Sequence, residues 1–114
     1  MYIFDFQVVN NDTFEGNYTF TIVKNSLPLD LTGATIKADF RISTNHDPAF
    51  TMTTESTPQT VEITDPTAGK FKFSKQIISA KPCNYQYDVQ ITLSTGEIFT
   101  YLKGTLTVLQ DITQ

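Results

Sequence analysis

The sequence predicts an all-β fold, an antiparallel sandwich, and three observations lead to this prediction. Apolar residues alternate with polar residues in several separate runs, which is the period of a strand that has one face in a core. The composition also favours strands, because nine Phe and five Tyr accompany many Thr, Val and Ile residues. No segment of the 114 residues has the period of an amphipathic helix.

The clearest alternation runs through residues 85–93. In a helix this pattern would spread the apolar side chains around the axis, whereas in a strand it collects them on one face. We therefore predict a half-buried central strand of an antiparallel sheet. Residues 94–97 indicate a hairpin turn, which places the last strand, residues 98–108, antiparallel beside it. The apolar set of the central strand is Tyr85, Tyr87, Val89, Ile91 and Leu93.

Three further strands are predicted in the N-terminal half. Polar clusters at 10–12 and 24–26 indicate turns between them. Residues 27–33 do not suit a central strand, because Pro28 has no N–H for the ladder and Asp30 followed by Gly33 is typical of a turn. The three alternating sets are Tyr2, Phe4, Phe6 and Val8; then Tyr18, Phe20 and Ile22; then Ala34, Ile36, Ala38, Phe40 and Ile42.

The second half contains shorter strands and the long last strand. Residues 65–69, with Pro66 and Gly69, indicate a turn between two of the short strands. In the last strand the apolar residues on even positions predict one buried face, so that Phe99 and Tyr101 point the other way. The short strands carry Phe50 and Met52, then Val61 and Ile63, then Phe71, Phe73 and Ile77, and the even set is Ile98, Leu102, Leu106 and Val108.

The strand count and spacing predict the type of sandwich. Seven to eight strands about ten residues apart favour a single immunoglobulin-like domain over residues 1–114. A small closed barrel is the main rival architecture. Tyr85 favours the sandwich, because it stands at the start of the penultimate long strand, where a tyrosine corner is found in such folds.

Charge and cysteine content exclude several classes of function. The net charge of −4 and pI near 4.7 argue against binding to nucleic acid or to anionic membranes. One cysteine cannot form an internal disulfide. The first residues contain neither a signal peptide nor a spanning segment, so we expect synthesis in a cytoplasm.

Three pieces of sequence, taken together, resemble a known family. They are residues 27–33 (Leu-Pro-Leu-Asp-Leu-Thr-Gly) with the strand ending near Arg41, residues 63–65 with 69–71, and residues 85–90 running into 104–108. Their order and spacing resemble the immunoglobulin-like N-terminal domain of phage baseplate upper proteins and of related small tail and virion proteins of tailed phages. The sequence departs from that family at Cys83, where a glycine is expected.

The resemblance implies a non-enzymatic structural and attachment protein of a tailed-phage virion, in the tail, the baseplate or associated with the capsid. Its partners would be other virion proteins, it would form a homo-oligomer in the particle, and it would use no cofactor and no metal. The alternative is a carbohydrate- or cell-surface-binding sandwich, which would display a solvent-facing aromatic shelf. The residues expected to shape turns and core are Asp30, Gly33, Phe40, Gly69, Tyr85 and Tyr87.

Two sets of residues are candidates for chemical sites. His46 and Cys83 are the single residues of their kinds, but neither lies in a catalytic signature and no third orienting group accompanies them. Asp39 and Asp88 could pair as carboxylates or bind a cation, although a solvated sheet face also explains them. Residues 45–47 form an equally weak candidate metal loop. We therefore predict no catalytic site.

A partner interface is predicted at Tyr2, Phe99 and Tyr101. Either the last two cover a second buried face of their strand, or they form an apolar patch for a partner, since aromatic residues are enriched at interface cores. The first and last strands are long and carry few of the features that block edge pairing. Self-association or docking is expected there by strand addition or by face-to-face packing.

Overall fold

The computed structural model describes residues 2–42 and 47–110, and within them the chain is all β, as predicted. None of these residues belongs to a helix long and apolar enough to cross a membrane. The strands are β1 (Tyr2–Ile3), β2 (Phe6–Val9), β3 (Thr13–Phe14), β4 (Thr19–Thr21), β5 (Val23–Lys24), β6 (Leu27–Pro28), β7 (Thr35–Arg41), β8 (Phe50–Thr53), β9 (Val61–Asp65), β10 (Lys70–Phe73), β11 (Gln76–Ile77), β12 (Asn84–Thr92) and β13 (Ile98–Leu109).

Two main sheets organise the described residues. The larger has the order β1-β13-β12-β7-β8, with β2 also paired to β13, and the smaller has the order β4-β10-β9. Two short ribbons, β3 with β11 and β5 with β6, lie outside them. If β1 and β2 are counted as one interrupted strand, the two main sheets contain eight strands, in agreement with the seven to eight predicted.

The strand predicted to be central occupies that position. β12 pairs antiparallel with β7 on one side and with β13 on the other, and its side chains alternate between exposed and buried along its length. The predicted hairpin turn joins β12 to β13, and the amide of Leu93 donates to the carbonyl of Glu97 at 2.8 Å. Buried residues face each other across the strands: Tyr87 opposite Phe40, Val89 opposite Ala38, and Ile91 opposite Ile36.

The core lies between the two sheets and is rich in aromatic rings. Phe73 of the smaller sheet lies 5.6 Å from Phe6, 6.1 Å from Tyr87 and 6.3 Å from Phe40, measured between ring centroids. All three of those rings belong to the larger sheet, so the inner faces of the two sheets pack against each other as in a sandwich. The smaller sheet also buries Phe20, Val61 and Phe71 in this layer.

The N-terminal strand, residues 2–9, runs parallel to β13 and is interrupted between β1 and β2. At the interruption, the Phe4 carbonyl accepts a hydrogen bond from the Tyr87 hydroxyl, and the Asp5 carboxylate accepts one from the Thr105 amide at 2.9 Å. Gly104 leaves room for this bend, because a Cβ there would overlap the carbonyl of Phe4. The contacts of Phe4, Asp5 and Gly104 therefore stabilise the interruption between β1 and β2.

The predicted turns are present, and their residues have defined roles. The Asp30 carboxylate accepts hydrogen bonds from the Thr32 amide at 2.9 Å and the Thr32 hydroxyl at 2.6 Å, and these bonds lower the pKa of Asp30. Gly33 follows with φ +75°. Gly69 has φ +70°, and a Cβ there would lie 2.7 Å from the carbonyl oxygen of Ile22, so a larger residue does not fit.

The tyrosine corner predicted at Tyr85 is also present. Its hydroxyl donates to the carbonyl of Lys81 at 2.6 Å, a few residues upstream, as in immunoglobulin-like sandwiches. Cys83, which replaces the glycine expected from the family, is half-buried and does not have a positive φ. Its carbonyl accepts a hydrogen bond from the Val108 amide at 2.9 Å. The turn before β12 therefore does not depend on a glycine.

The predicted alternation is wrong at Tyr18 and Ile42, which lie just outside β4 and β7 and are about half exposed, and at Ile77; one predicted sheet edge is also wrong. Ile77 was expected to share the buried face of Phe73, but it is 64% exposed, whereas Ile78 is buried. The reason is that β10 ends at Phe73 and the chain then joins a separate ribbon with β3, so the alternation restarts. The last strand was expected to be a sheet edge, but β13 lies between β12 and the N-terminal strand.

Candidate functional site

The structure changes the expected direction of Phe99 and Tyr101. The pairing of β12 with β13 shifts register between Val89 and Gln90, so that Val89 lies opposite Leu102 and Gln90 lies opposite Thr100. Tyr101 is the extra residue of this β-bulge. A bulge reverses which positions face the core. On the N-terminal side of the bulge, the side chains at odd-numbered positions of β13 face the core. On its C-terminal side, those at even-numbered positions do.

Phe99 and Tyr101 therefore lie on the core side of their strand. Phe99 pairs with the buried Ile91, and both aromatic residues are half-buried against the core. The Tyr101 hydroxyl donates to the carbonyl of Thr21 at 2.9 Å, and its ring meets the edge of Phe71 at 6.3 Å between centroids. The prediction that they point away from the face of Leu102 is wrong.

The same bulge exposes a residue that the sequence had placed in the core. Ile98 is 60% exposed, on the face opposite to Phe99. The sequence gives only a weak signal for the bulge: Tyr101 and Leu102 are adjacent apolar residues, but so are Ile98 and Phe99, and Val108 and Leu109. Whether Phe99 and Tyr101 contact a partner through their exposed parts stays a prediction. Tyr2, the third predicted interface residue, pairs through its backbone with Leu102.

A groove of about 590 Å³ lies on the outer face of the larger sheet, where β1, β7, β12 and β13 run side by side. Asp88 stands in its centre, in register with Asp39 on one side and with Lys103 on the other. The structure thus brings together the two aspartates that the sequence had suggested as a pair. Arg41 and Asp5 also line the groove.

The surroundings of Asp39 favour a structural role. Its carboxylate lies 3.3 Å from the Arg41 guanidinium and 3.7 Å from the Lys37 ammonium, and it accepts a hydrogen bond from the Thr51 hydroxyl at 2.8 Å. These contacts balance its charge on the sheet surface. Within the described ranges, no group of three or more His, Cys, Asp or Glu residues could hold a metal ion.

The candidate nucleophile and base are not seen together. Cys83 is a free, half-buried cysteine before β12. His46 lies outside the described residues, as do two of the three residues of the candidate metal loop at 45–47. The remaining member of that loop, Asp47, is exposed.

Two buried tyrosines have strongly perturbed hydroxyl groups. Burial, together with the neighbouring Cys83, raises the pKa of Tyr85 to about 12. Burial, and to a lesser extent the charge of Asp5, also raises the pKa of Tyr87 well above its ordinary value. Both hydroxyls donate to backbone carbonyls, and the raised pKa values keep these two donors protonated at alkaline pH, where an exposed tyrosine begins to ionise.

Exposed aromatic residues bear on the carbohydrate-binding alternative. Among the side chains that the structure describes, Tyr18 is the aromatic residue with the largest exposure, at 51%. Its ring also packs against Phe4 at 4.6 Å and against Phe20 at 4.8 Å, measured between centroids. A single half-exposed tyrosine that packs against core rings does not form the solvent-facing aromatic shelf expected of a carbohydrate-binding module.

Comparison with known proteins identifies the family. No curated protein matches this chain. A family model described as the BppU N-terminal domain, where BppU is the baseplate upper protein, matches residues 4–82, which is 79 of the 114 residues. The match begins within the N-terminal strand and ends just before β12. Because it spans more than half of the sequence, the chain belongs to the family of the phage baseplate upper protein N-terminal domain, a virion-associated structural family.

Proposed function

We propose that this chain is a non-enzymatic structural and attachment module of a tailed-phage virion, which acts through contacts with other virion proteins. The observation that supports the proposal best is the family match over residues 4–82. Residues 1–114 form one domain, which is made in the host cytoplasm and then becomes part of the particle. It uses no cofactor, and neither nucleic acid nor a membrane is its partner.

The all-β framework suits this role. Aromatic rings fill the layer between the two sheets, and the polar outer face of the larger sheet carries balanced charges around Asp39. A stiff module with defined faces keeps its shape on binding, which lowers the entropic cost of assembly. The proposal includes self-association of copies in the particle and contacts with other virion proteins.

Virion composition tests the proposal directly. Purified particles are analysed by mass spectrometry, and gold-labelled antibodies against the chain are located by electron microscopy. We expect a fixed copy number per particle and labelling at the tail or baseplate. Abundant protein in lysates with none in purified particles would contradict the proposal.

The predicted interface needs a separate experiment with a matched control. Phe99→Ser is compared with Ile98→Ser, because these neighbours lie on opposite faces of the same strand. We expect that Phe99→Ser weakens capture of virion proteins in a pull-down while Ile98→Ser does not. Both variants are first checked by circular dichroism and denaturant melts, and equal capture by two folded variants would remove Phe99 from the interface.

A glycan array separates the alternative function. A carbohydrate-binding module retains specific sugars at micromolar to millimolar concentration, whereas the attachment module retains none. Reproducible binding that is lost on Tyr18→Ala would favour the alternative, because Tyr18 is the aromatic side chain with the largest exposure among those described.

A further inference from the structure

The N-terminal strand occupies a slot that runs along one side of β13. Its backbone pairs there in two pieces, from Tyr2 opposite Leu102 to Val9 opposite Leu109. The other side of the N-terminal strand has no partner strand in the larger sheet, as far as the described residues extend. The strand is thus a terminal edge element, held by β13 and by the core beneath it.

Specific side-chain contacts, in addition to backbone pairing, hold this segment in the slot. The bend at Phe4 packs against Gly104, which has no side chain, and the Phe4 carbonyl accepts a hydrogen bond from the Tyr87 hydroxyl. The Asp5 carboxylate accepts a hydrogen bond from the Thr105 amide. The Phe4 ring meets Phe20 edge-on at 5.1 Å between centroids, and other core rings surround Phe6.

Most of these slot partners belong to β12, β13 and β10, far along the chain from the segment that they hold, whereas Phe20 belongs to the nearby β4. A second copy of the chain therefore presents the same slot with the same partners. The turn at residues 10–12 ties the segment to its own chain. The Asn10 and Asn11 amides donate to the carbonyls of Leu109 and Ile78, and their side-chain oxygens accept hydrogen bonds from the Ala80 amide and the Ser79 hydroxyl. There the Asp12 amide donates to the Val9 carbonyl at 3.0 Å, and Asn11 has φ +68°.

We propose that the N-terminal strand is exchanged between two copies of this chain, so that residues 2–9 of each copy fill the slot of the other. This proposal rests on the self-association included in the proposed function and names its mechanism. Exchange replaces each contact of residues 2–9 with an identical contact between copies, so the cost is the hydrogen bonds of the turn at residues 10–12 and the entropy of association. A high local concentration of copies, as in an assembling particle, therefore favours the exchanged form.

Cross-linking between two differently labelled chains tests the exchange. One variant carries Ile3→Cys and the other carries Lys103→Cys, both with Cys83→Ser, because Ile3 and Lys103 are partners in the strand register. The two variants are mixed, concentrated and oxidised, and non-reducing electrophoresis then separates the products. We expect a covalent dimer in the mixture and almost none when either variant is oxidised alone.

A control separates exchange from random collision. Thr51→Cys and Asp39→Cys, also in the Cys83→Ser background, are placed in separate chains, because these residues are register partners on strands that do not exchange. This mixture should yield only the background level of covalent dimer. Equal dimer yields from the two mixtures, or no dimer from the Ile3 and Lys103 mixture, would overturn the proposal.

The length of the turn provides a second test. Deletion of Asn11 and Asp12 prevents the strand from folding back onto its own slot, so this variant should form a folded dimer in light scattering. Insertion of two glycines after Asn10 relaxes the turn and should favour the monomer. A shortened variant that is a folded monomer, or that fails to fold, would contradict exchange. Retention in virions with no dimer would leave the proposed function standing without this mechanism.

Discussion

The hydrogen bond from Tyr87 to Phe4 joins the N-terminal strand to the central strand across 83 positions of sequence. Tyr87→Phe removes this donor and leaves the ring in place. The ring is 96% buried and stacks on Phe40 at 4.9 Å between centroids, so its packing should survive. What changes is the Phe4 carbonyl, which loses its part-buried hydrogen bond from the Tyr87 hydroxyl.

The expected cost follows from that loss. A buried polar group left without its partner costs about 1–3 kcal/mol. With a urea m-value of about 1–3 kcal/mol/M, a loss of about 2 kcal/mol lowers the midpoint of unfolding by roughly 1 M. The m-value itself should not change, because the fold and the surface exposed on unfolding stay the same.

The assay is urea unfolding followed by tyrosine fluorescence and far-UV circular dichroism, with Tyr18→Phe as the matched control. Tyr18 is half-exposed, so its variant should stay within about 0.5 kcal/mol of the unmodified protein. Hydrogen exchange adds a local measurement, since the Thr105 amide and the amides of β2 should exchange faster in Tyr87→Phe. Equal midpoints for the two variants, with unchanged exchange in β2, would refute the role assigned to this bond.

Three further predictions concern the core, the bend and high pH. Phe40→Ala should lower the free energy of unfolding by about 3–5 kcal/mol in denaturant melts, because Phe40 is fully buried and stacks on Phe50 at 4.6 Å between centroids; a cost below about 1 kcal/mol would place it outside the core. Gly104→Ala should also destabilise, since the added Cβ overlaps the Phe4 carbonyl, and chemical-shift changes should concentrate in the N-terminal strand; a silent substitution would contradict the tight bend. Stability should fall above pH 10, because the unfolded state then loses the Tyr85 proton while the folded state, with a pKa of about 12, keeps it. The loss approaches about 1.4 kcal/mol per pH unit between pH 10 and 12, and Tyr85→Phe should make this slope shallower in urea melts.

Local features could be predicted because they depend on residues that are close in sequence. The alternation in residues 85–93 identified the central strand. Gly33 and Gly69 marked turns because few other residues adopt a positive φ, and Asp30 marked one because its carboxylate accepts hydrogen bonds from Thr32. The position of Tyr85 at the start of a long strand indicated a tyrosine corner, and its hydroxyl donates to the carbonyl of Lys81. These inferences needed no knowledge of which strands are neighbours.

The candidate interface was harder to predict, because a single residue decides the direction of every side chain around it. The bulge at Tyr101 turns Phe99 toward the core and Ile98 toward solvent. Side-chain direction alternates along a strand, so one extra residue reverses the assignment. The register shift becomes visible only when β12 and β13 are aligned.

Sequence alone was sufficient for the fold class, the central strand and the family, since periodicity, turn residues and spaced motifs are local properties of the chain. The tertiary structure decided that the first strand lies parallel to the last, that Gly104 receives the bend at Phe4, and that Asp39 and Asp88 stand side by side. No turn connects the first and last strands, so nothing local encodes their pairing. It arises because both strands bury apolar side chains in the same aromatic core, and that burial depends on the whole chain.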